Sequence, residues 1–460
     1  MANGLRKTMA ASGRDLPANG ARGITSSMKG KETMLRKITT LLAAAAALVA
    51  APAMAQTIVI KAGSVITDAS AEPTGPATII VRDGRIDDIV SEGEAAMLAG
   101  EYETIDLSGK TVLPGLIDLH THLSGDPSGE FWRAATTPDE YFVFIAAKNA
   151  RLTALAGFTT VRDLGSRTDQ VTQMLRRATA EGLVAGPRVV TSARTIAIIG
   201  GHGDVNGFTE EVSHALDAGF TCTGPVECSE KVRLASKFGA DLIKITATGG
   251  VLSQQGRGLE EHFTADEMKA IVDTAKLLGL KVAAHAHGAR GIEAAARAGV
   301  HTIEHGTYID DAAAKAMKES GTTLVPTLMA FEGIKGNVGT GYYTPTVDAK
   351  IRAVSEVADT IIERALANDV KIAFGTDAGV FPHGQNAGEF RLMIKGGMSS
   401  RDALASATTV AADILGMGDT IGRLAPGYSA DIIAVEGNPL EDATVLEKVD
   451  FVMVRGSVIE

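Results

Sequence analysis

This chain of 460 residues has little or none of four features that mark other classes of protein: cysteine, aromatic side chains, clusters of basic residues and Gly-rich nucleotide-binding motifs. It has two cysteines and one tryptophan, and aromatic side chains make up only 4% of it. It lacks any cluster of Lys and Arg able to neutralise nucleic-acid phosphates, and its formal net charge of −11 argues further against a nucleic-acid partner. No Gly-rich dinucleotide fingerprint follows an early strand, and Gly249-Gly250 does not lead into a phosphate-binding Gly-Lys-Ser/Thr. What remains is an Ala- and Gly-rich α/β chain, for which a small molecule or a dipeptide is the expected partner.

The two cysteines, Cys222 and Cys228, lie in the stretch TCTGPVECSE. No second cysteine pair or neighbouring histidine completes a tetrahedral zinc set there. In an exported protein the pair can form a disulfide that closes a short loop, or it can remain as two free thiols. The sequence leaves both alternatives open.

Residues 34–55 read MLRKITTLLAAAAALVAAPAMA, a basic start followed by an apolar tract and a small-x-small ending. This pattern is typical of a secretory signal peptide. The tract is interrupted by Pro52 and is shorter than the roughly 18–20 residues that span a bilayer, so a retained anchor is the weaker alternative. We expect cleavage near Ala55, an exported protein, periplasmic or secreted, without a stable membrane anchor, and a disordered upstream extension over residues 1–33.

Beyond the signal peptide the strand and helix patterns fall into two regions. Short alternating strands occur near both ends of the chain, which predicts one small β domain built from residues 56–112 and 421–460. Between them, over residues 113–420, strands alternate with helix-like stretches. The eight candidate strands cover residues 115–119, 159–163, 188–192, 242–246, 281–286, 301–305, 323–327 and 371–376. Eight such units predict an α/β fold, a (β/α)8 TIM-like barrel with a small β-sandwich domain.

Metal-binding residue types stand at the carboxyl ends of five of these strands, where barrel enzymes carry their catalytic groups. The first strand supplies two imidazoles on one face, because residues i and i+2 of a strand point the same way. Taken singly, each residue is as well explained by a core hydrogen bond or a helix cap. Six such residues at the strand ends of one barrel are not explained in this way. The six are His120, His122, Lys244, His285, His305 and Asp377.

Lys244 is the most informative of the six. An ammonium cannot bind a cation and is costly to bury beside one, so this lysine is expected to be neutral or modified. A neutral amine can take up carbon dioxide to form a carbamate, whose two oxygens can bridge two ions. If Lys244 instead stays an ammonium, it would bind a substrate carboxylate and the site would hold at most one metal.

These motifs resemble the amidohydrolase superfamily. The resemblance rests on PGLIDLHTHL, DLIKI, AAHAHG, IEHGT, FGTDAG and the closing GRLAPGYSADIIAVEGNPLED, and it covers nearly all of the chain from Val59 onward. It is strongest to the branch of Xaa-Pro dipeptidase-like and imidazolonepropionase-related enzymes with a carboxylated lysine. Within that branch the sequence is similar to exported bacterial amidohydrolases that cleave the phenylalanine amide of ochratoxin A.

The resemblance implies two divalent metal ions, a homo-oligomer that can be as large as an octamer, and attack on an amide carbon by a hydroxide held between the ions. Imidazole and carboxylate ligands favour zinc, although manganese, cobalt or iron fit the same donors. The implied ligands are His120, His122 and Asp377 for one ion, His285 and His305 for the other, and N6-carboxylysine at Lys244 for both.

The same resemblance makes Asp377 the residue that takes a proton from the nucleophile and gives it to the leaving amine. His287 and His202 are candidates for oxyanion stabilisation or for binding a substrate carboxylate. Tyr308 and Arg257 are further candidates for substrate binding. For each of these side chains, a hydrogen bond to a loop or plain solvation is the alternative. The stretch GGVLSQQGRGLEEHF, which contains Arg257, is expected to be a mobile loop over the barrel mouth.

The predicted function is therefore cleavage of an amide or peptide bond with release of a C-terminal amino acid, in dipeptides, N-acyl amino acids or ochratoxin A-like amides. One alternative is a cyclic-amide hydrolase or deaminase on the same fold; mononuclear deaminases typically lack the bridging lysine. The other is a catalytically inactive binding module, which should have lost at least one ligand. This chain has kept all six.

Overall fold

The computed structural model describes residues 57–127, 131–165, 170–217 and 219–460. The predicted extension over residues 1–33 and the predicted signal peptide over residues 34–55 lie outside the described residues. Within the described ranges, every helix is too short or too polar to cross a bilayer.

Sixteen strands are found in the described parts of the chain. In order they are β1 (Thr57–Val65), β2 (Ala77–Arg82), β3 (Arg85–Val90), β4 (Glu103–Pro114), β5 (Leu116–Thr121), β6 (Phe158–Asp163), β7 (Arg188–Thr191), β8 (Thr195–Ile198), β9 (Thr221–Cys222), β10 (Ile243–Thr246), β11 (Val282–Ala286), β12 (Thr302–His305), β13 (Thr323–Val325), β14 (Ile432–Val435), β15 (Val449–Val454) and β16 (Ser457–Val458).

The described helices alternate with the middle strands. In order they are α1 (Glu92–Ala95), α2 (Asp139–Leu155), α3 (Val171–Ala180), α4 (Glu210–Leu216), α5 (Gly224–Lys237), α6 (Ala265–Leu277), α7 (Ala289–Ala298), α8 (Asp311–Ser320), α9 (Leu328–Lys335), α10 (Pro345–Ser355), α11 (Ile361–Ala367), α12 (Gly388–Lys395), α13 (Ser400–Ser406) and α14 (Thr409–Leu415), with 3-10 turns at Phe131–Ala135, Ala358–Thr360 and Ala443–Glu447.

The small β domain is a seven-stranded sheet in the order β16-β15-β14-β4-β1-β2-β3, so both ends of the chain contribute to it. Alternate residues of its strands, among them Ile60, Ile79 and Ile432, are buried in a core separate from that of the barrel. The turns next to β3 and β16 meet, since a Cβ at Gly456 would lie 2.6 Å from the Cα of Gly84. Because these turns belong to opposite ends of the sheet, the sheet curls over its own core.

The barrel is built from parallel strands, as predicted. β5, β6 and β7 pair in one ladder, and β8, β10, β11, β12 and β13 pair in another. The third barrel position is divided between β7 and β8, because the backbone bends at Ala193, whose φ is +63°. β7 pairs with β6, whereas β8 pairs with β10 through Thr195 and Lys244. The predicted fold class, an α/β barrel with a small sheet domain, is confirmed.

The eighth barrel position differs from the predicted strand over residues 371–376. It is an extended segment with isolated bridges, Leu324 to Ile372 and Thr121 to Ala378, instead of a continuous ladder. The physical reason is the carboxylate of Asp118, which accepts hydrogen bonds from the backbone N–H and the hydroxyl of Thr376 at 3.1 and 2.6 Å. A side chain thus replaces part of the ladder while the segment still closes the barrel.

The helices begin and end where the sequence provides caps. Thr264 and Glu267 form a reciprocal capping box at the start of α6. Gly299 ends α7 in the left-handed conformation, with φ of +93°. The two cysteines, whose state the sequence left open, are joined in a disulfide between Cys222 of β9 and Cys228 of α5.

Candidate metal centre and active site

Two clusters of possible metal ligands lie at the carboxyl ends of the barrel strands. The first consists of His120 at the end of β5, His122 immediately after that strand, and Asp377 from the eighth position. Nε2 of His122 is 3.2 Å from Oδ1 of Asp377, and Nε2 of His120 is 3.4 Å from the same oxygen. The alternation of β5 places both imidazoles on one face, so they converge on a single carboxylate oxygen.

The second cluster consists of His285, His287 and His305, all buried. Their candidate ligand atoms lie within 4.8 Å of one another. The ring of His287 is stacked on that of His305 at 4.8 Å between centroids, and the ring of His285 meets His305 edge-on at 4.6 Å. The structure therefore groups His287, predicted as a substrate-side residue, with the two histidines predicted for the second ion.

Two residues of the clusters have a left-handed backbone conformation. The φ of His305 is +72° and that of Asp377 is +62°. This conformation is costly for residues other than Gly, and such strain is concentrated at functional sites. Here the two left-handed residues lie at the end of β12 and directly after the extended segment of the eighth position.

The outer ring nitrogens of four histidines are fixed by hydrogen bonds. Nδ1 of His120 contacts Oε2 of Glu304 at 2.9 Å, and Nδ1 of His122 contacts the carbonyl of Gly165 at 2.9 Å. Nδ1 of His287 and His305 contact the hydroxyls of Thr307 and Thr327, each at 2.6 Å. Such outer contacts select one tautomer and orient the ring. In all four residues Nε2 is the nitrogen left to face the site.

Lys244 lies on β10, next to the strand that carries His285, and it is almost fully buried. Burial lowers the pKa of its ammonium to about 8, against the opposing charges of Glu304 and Asp377. Its charge in turn depresses the pKa of histidines in both clusters, His120 and His305 among them. Lys244 is therefore electrostatically coupled to both halves of the site.

A buried ion pair that the sequence did not indicate supports the first cluster. Glu304 is fully buried and lies 2.9 Å from a guanidinium nitrogen of Arg162. Although burial opposes ionisation, Arg162 and His120 hold the pKa of Glu304 at about 2. Adjacent residues of a strand normally face opposite sides, so Glu304, next to His305, was not expected at the site. The left-handed turn at His305 is what lets both residues reach it.

The donor set fits divalent metal ions. Burial and the neighbouring imidazoles lower the pKa of His285 and His305 well below the ordinary value, so both rings are neutral ligands at pH 7. Within the described residues, the buried Oδ1 of Asp377 has no hydrogen-bond partner of good geometry. Neutral imidazoles and an ionised carboxylate in a buried site are the ligands of zinc and similar ions.

A cavity of about 550 Å³ opens beside the first cluster. His122 of the first cluster and His202 line it, as does Ser253, which is hydrogen-bonded to His202. Its apolar wall includes aromatic and aliphatic side chains from helices α2 and α4 and from three loops. They are Tyr141, Phe142, Val205, Phe208, Leu216, Phe220 and Leu252. This volume falls within the range of ordinary small-molecule sites.

The four predicted substrate-binding residues lie in different surroundings. His202 lines the cavity, with its ring 4.2 Å from that of His285, and His287 is buried in the second cluster. Tyr308 is half-buried against the barrel core, and Arg257 is exposed, with its guanidinium close to Gly200. Neither of these last two is among the described residues that line the cavity.

His383 also touches the first cluster and was missed by sequence reasoning. Its Nδ1 is 2.8 Å from the hydroxyl of Thr153, and its Nε2 is 3.2 Å from the carbonyl of His122. It thereby fixes the backbone of a candidate ligand. His383 lies in a loop after the irregular eighth position, where no strand pattern marks it, so the sequence carried no signal for it.

Comparisons with known proteins agree with this geometry. A model of the amidohydrolase family matches residues 111–459. Ochratoxinase of Aspergillus niger is 30% identical, covering 86% of this chain and 84% of the relative. Imidazolonepropionase of Chromobacterium violaceum is 26% identical, covering 77% and 84%. A crystal structure of a Xaa-Pro dipeptidase with bound methionine in the active site is 38% identical, with a TM-score of 0.80, covering 88% of this chain and 100% of that one.

Proposed function

Because this chain belongs to the amidohydrolase family, as its sequence motifs predicted, we propose that it is a binuclear metal-dependent hydrolase that releases a C-terminal amino acid from an amide or peptide. The observation that carries the proposal is the pair of largely buried ligand clusters at one end of the barrel, with the buried Lys244 electrostatically coupled to both. Hydrolysis of amide bonds is the general chemistry that the family, ochratoxinase and the Xaa-Pro dipeptidase support. The binuclear centre and the substrate class are our inference.

We assign one ion to the first cluster and one to the second, with zinc favoured by the ligands. The second cluster holds neutral histidines only, so an anionic ligand from Lys244 would balance the charge of its ion. N6-carboxylysine at Lys244 would supply such a ligand, and burial, which lowers the pKa of the Lys244 ammonium to about 8, makes more of the neutral amine available to take up carbon dioxide. Bound there, two divalent ions supply a hydroxide at neutral pH and polarise the amide carbonyl.

The protein's own side chains account for proton transfer and for binding. Asp377, whose Oδ1 faces both imidazoles of the first cluster, accepts a proton and returns it to the leaving amine. His202 lines the cavity beside His285, where it donates to the carbonyl oxygen or to the substrate carboxylate. His287 either binds the second ion beside His285 and His305 or acts on the substrate from there.

The substrate class is proposed from the relatives and from the cavity. The names of the relatives refer to ochratoxin and to Xaa-Pro dipeptides, both of which have an amide bond to a C-terminal amino acid. A cavity of about 550 Å³ with an apolar wall has room for more than a dipeptide. We therefore propose dipeptides, N-acyl amino acids and ochratoxin A-like amides as substrates.

The alternative reaction is hydrolysis of a cyclic amide, favoured by the similarity to imidazolonepropionase. A panel of N-acyl amino acids, Xaa-Pro dipeptides, ochratoxin A and imidazolonepropionate distinguishes the two. We expect release of the free amino acid from the linear amides, loss of activity on chelation and recovery on addition of zinc. Turnover of only the cyclic amide, or turnover that survives full chelation, would refute the proposal.

Export and assembly complete the proposal. We propose that the protein is exported after cleavage near Ala55 and forms a homo-oligomer. Expression of the full chain in a bacterial host, followed by N-terminal sequencing of the exported protein, should give Gln56 as the first residue. Light scattering of that material gives the number of subunits. An uncleaved, cell-retained protein would contradict export.

A further inference from the structure

One lysine outside the clusters makes an unusual set of contacts. Lys350, on α10, donates from Nζ to the backbone carbonyls of Gly250 and Ser253, each at 2.7 Å, and of Gln255 at 3.2 Å. All three acceptors belong to the loop after β10. Hydrogen bonds from a charged donor are stronger than neutral ones, and three of them converge on one atom. This single side chain ties together six consecutive residues of the loop.

The tied loop forms part of the active site. Leu252, Ser253 and Gln254 line the cavity. The hydroxyl of Ser253 shares a hydrogen bond of 2.6 Å with Nδ1 of His202. A Cβ on Gly250 would lie only 2.2 Å from the same nitrogen, so the loop backbone packs directly on the imidazole. The position of His202 therefore depends on the position of this loop.

The segment that carries Lys350 is anchored on both sides of the cavity. The hydroxyl of Thr344, the N-cap of α10, donates to the side chain of Gln254 at 2.9 Å. The hydroxyl of Tyr342 donates to the carbonyl of Pro127 at 2.8 Å, next to the cavity-lining Asp126. Residues 342–350 therefore connect two walls of the cavity. Of the described hydrogen bonds from this segment to the cavity walls, Lys350 makes three, whereas Thr344 and Tyr342 make one each.

Lys350 is half-buried, and burial lowers the pKa of its ammonium to about 8. A partly desolvated ammonium is costly unless its donors are satisfied. The three carbonyls meet that requirement, so the contacts of Lys350 stabilise the loop in the observed arrangement.

We propose that Lys350 is a positioning residue of the active site, which fixes the loop of residues 250–255 as a cavity wall and, through Ser253, holds His202 towards the substrate. The kinetic part of this inference rests on the proposed function. The structural part does not.

The test compares Lys350→Met, which keeps the side-chain length but removes the charge, with Lys350→Arg and Ser253→Ala. Lys315→Met is the matched control, since Lys315 is an exposed lysine of α8 whose only described ion pair is 3.9 Å long. For each variant we would measure kcat and KM on an N-acyl amino acid, the melting temperature, and the rate of tryptic cleavage after Arg257. Arg257 is exposed in the same loop, so its cleavage reports release of the loop without reference to activity.

For Lys350→Met we expect KM to rise about tenfold, kcat to fall, and cleavage after Arg257 to accelerate about tenfold. Lys350→Arg should recover part of each loss because it restores a charged donor. Ser253→Ala should lower kcat while cleavage stays at the wild-type rate, since the three carbonyl contacts remain. If Lys350→Met does not fold, Lys350→Gln takes its place with the same expectation.

Unchanged KM and unchanged cleavage in Lys350→Met, relative to Lys315→Met, would overturn the inference. A fall in kcat alone in proportion to a lower melting temperature would also overturn it, because that is the signature of a purely structural role. If the wild-type protein hydrolyses no amide, the proposed function fails, and the cleavage rates still decide whether Lys350 holds the loop.

Discussion

The two ligand clusters differ in charge. The first includes the carboxylate of Asp377, and its His120 is backed by the buried carboxylate of Glu304. The second consists of three imidazoles, two of which are backed by neutral hydroxyls, Thr307 and Thr327. A divalent ion is thus better balanced in the first cluster than in the second. We infer from this difference that a metal ion in the first cluster would need no further anionic ligand, whereas one in the second would need the ligand proposed at Lys244.

The largest effect is expected from removing the charge of the first cluster. Asp377→Asn takes away both a ligand charge and the proposed proton acceptor, so kcat should fall by at least about 10²–10⁴-fold. Steady-state kinetics with equal protein concentrations checks this. Asp273→Asn, which changes an exposed carboxylate of α6, should leave kcat unchanged. If Asp377→Asn keeps more than a tenth of the wild-type kcat, the role of Asp377 as proton acceptor is wrong.

A smaller effect is expected from neutralising the carboxylate behind His120. Glu304→Gln keeps the shape of the side chain but weakens the contact to Nδ1 of His120, so the ion of the first cluster should bind about 10- to 100-fold more weakly. Competition with a chelator, followed by metal analysis, measures the change. The melting temperature should also fall, because Arg162 loses its buried partner. If the variant and the wild type release metal equally, Glu304 does not affect the metal affinity of the first cluster.

The smallest effect is expected behind the second cluster. Thr327→Val removes one neutral hydrogen bond to His305, which is worth about 0.5–1.5 kcal/mol, or roughly a 2- to 12-fold change in affinity. The same chelator titration measures this change when it follows the affinity of the ion in the second cluster. Should Thr327→Val weaken metal binding more than Glu304→Gln does, the contrast between the two clusters would be wrong.

Much of the site could be predicted from spacing alone. His120 and His122 share a face because of strand alternation, and Lys244 and His285 follow from the rule that catalytic groups stand at strand ends. The barrel and the family were predicted on the same residues, and both are confirmed.

Other parts of the site depend on contacts that spacing does not encode. Glu304 reaches the site only because His305 adopts a left-handed backbone. Lys350 meets its loop across about a hundred residues of sequence, and the irregular eighth position depends on the side chain of Asp118. Each of these is a tertiary contact between distant segments, which local pattern and periodicity cannot report.

The central claim is that Lys244 joins both clusters as a shared ligand. Metal analysis of the purified protein after zinc and bicarbonate supplementation, with Lys244→Met beside the wild type, tests it most directly. We predict about two ions per chain in the wild type and about one in Lys244→Met, retained by the first cluster. One ion or fewer in the wild type, or two in Lys244→Met, would contradict the account.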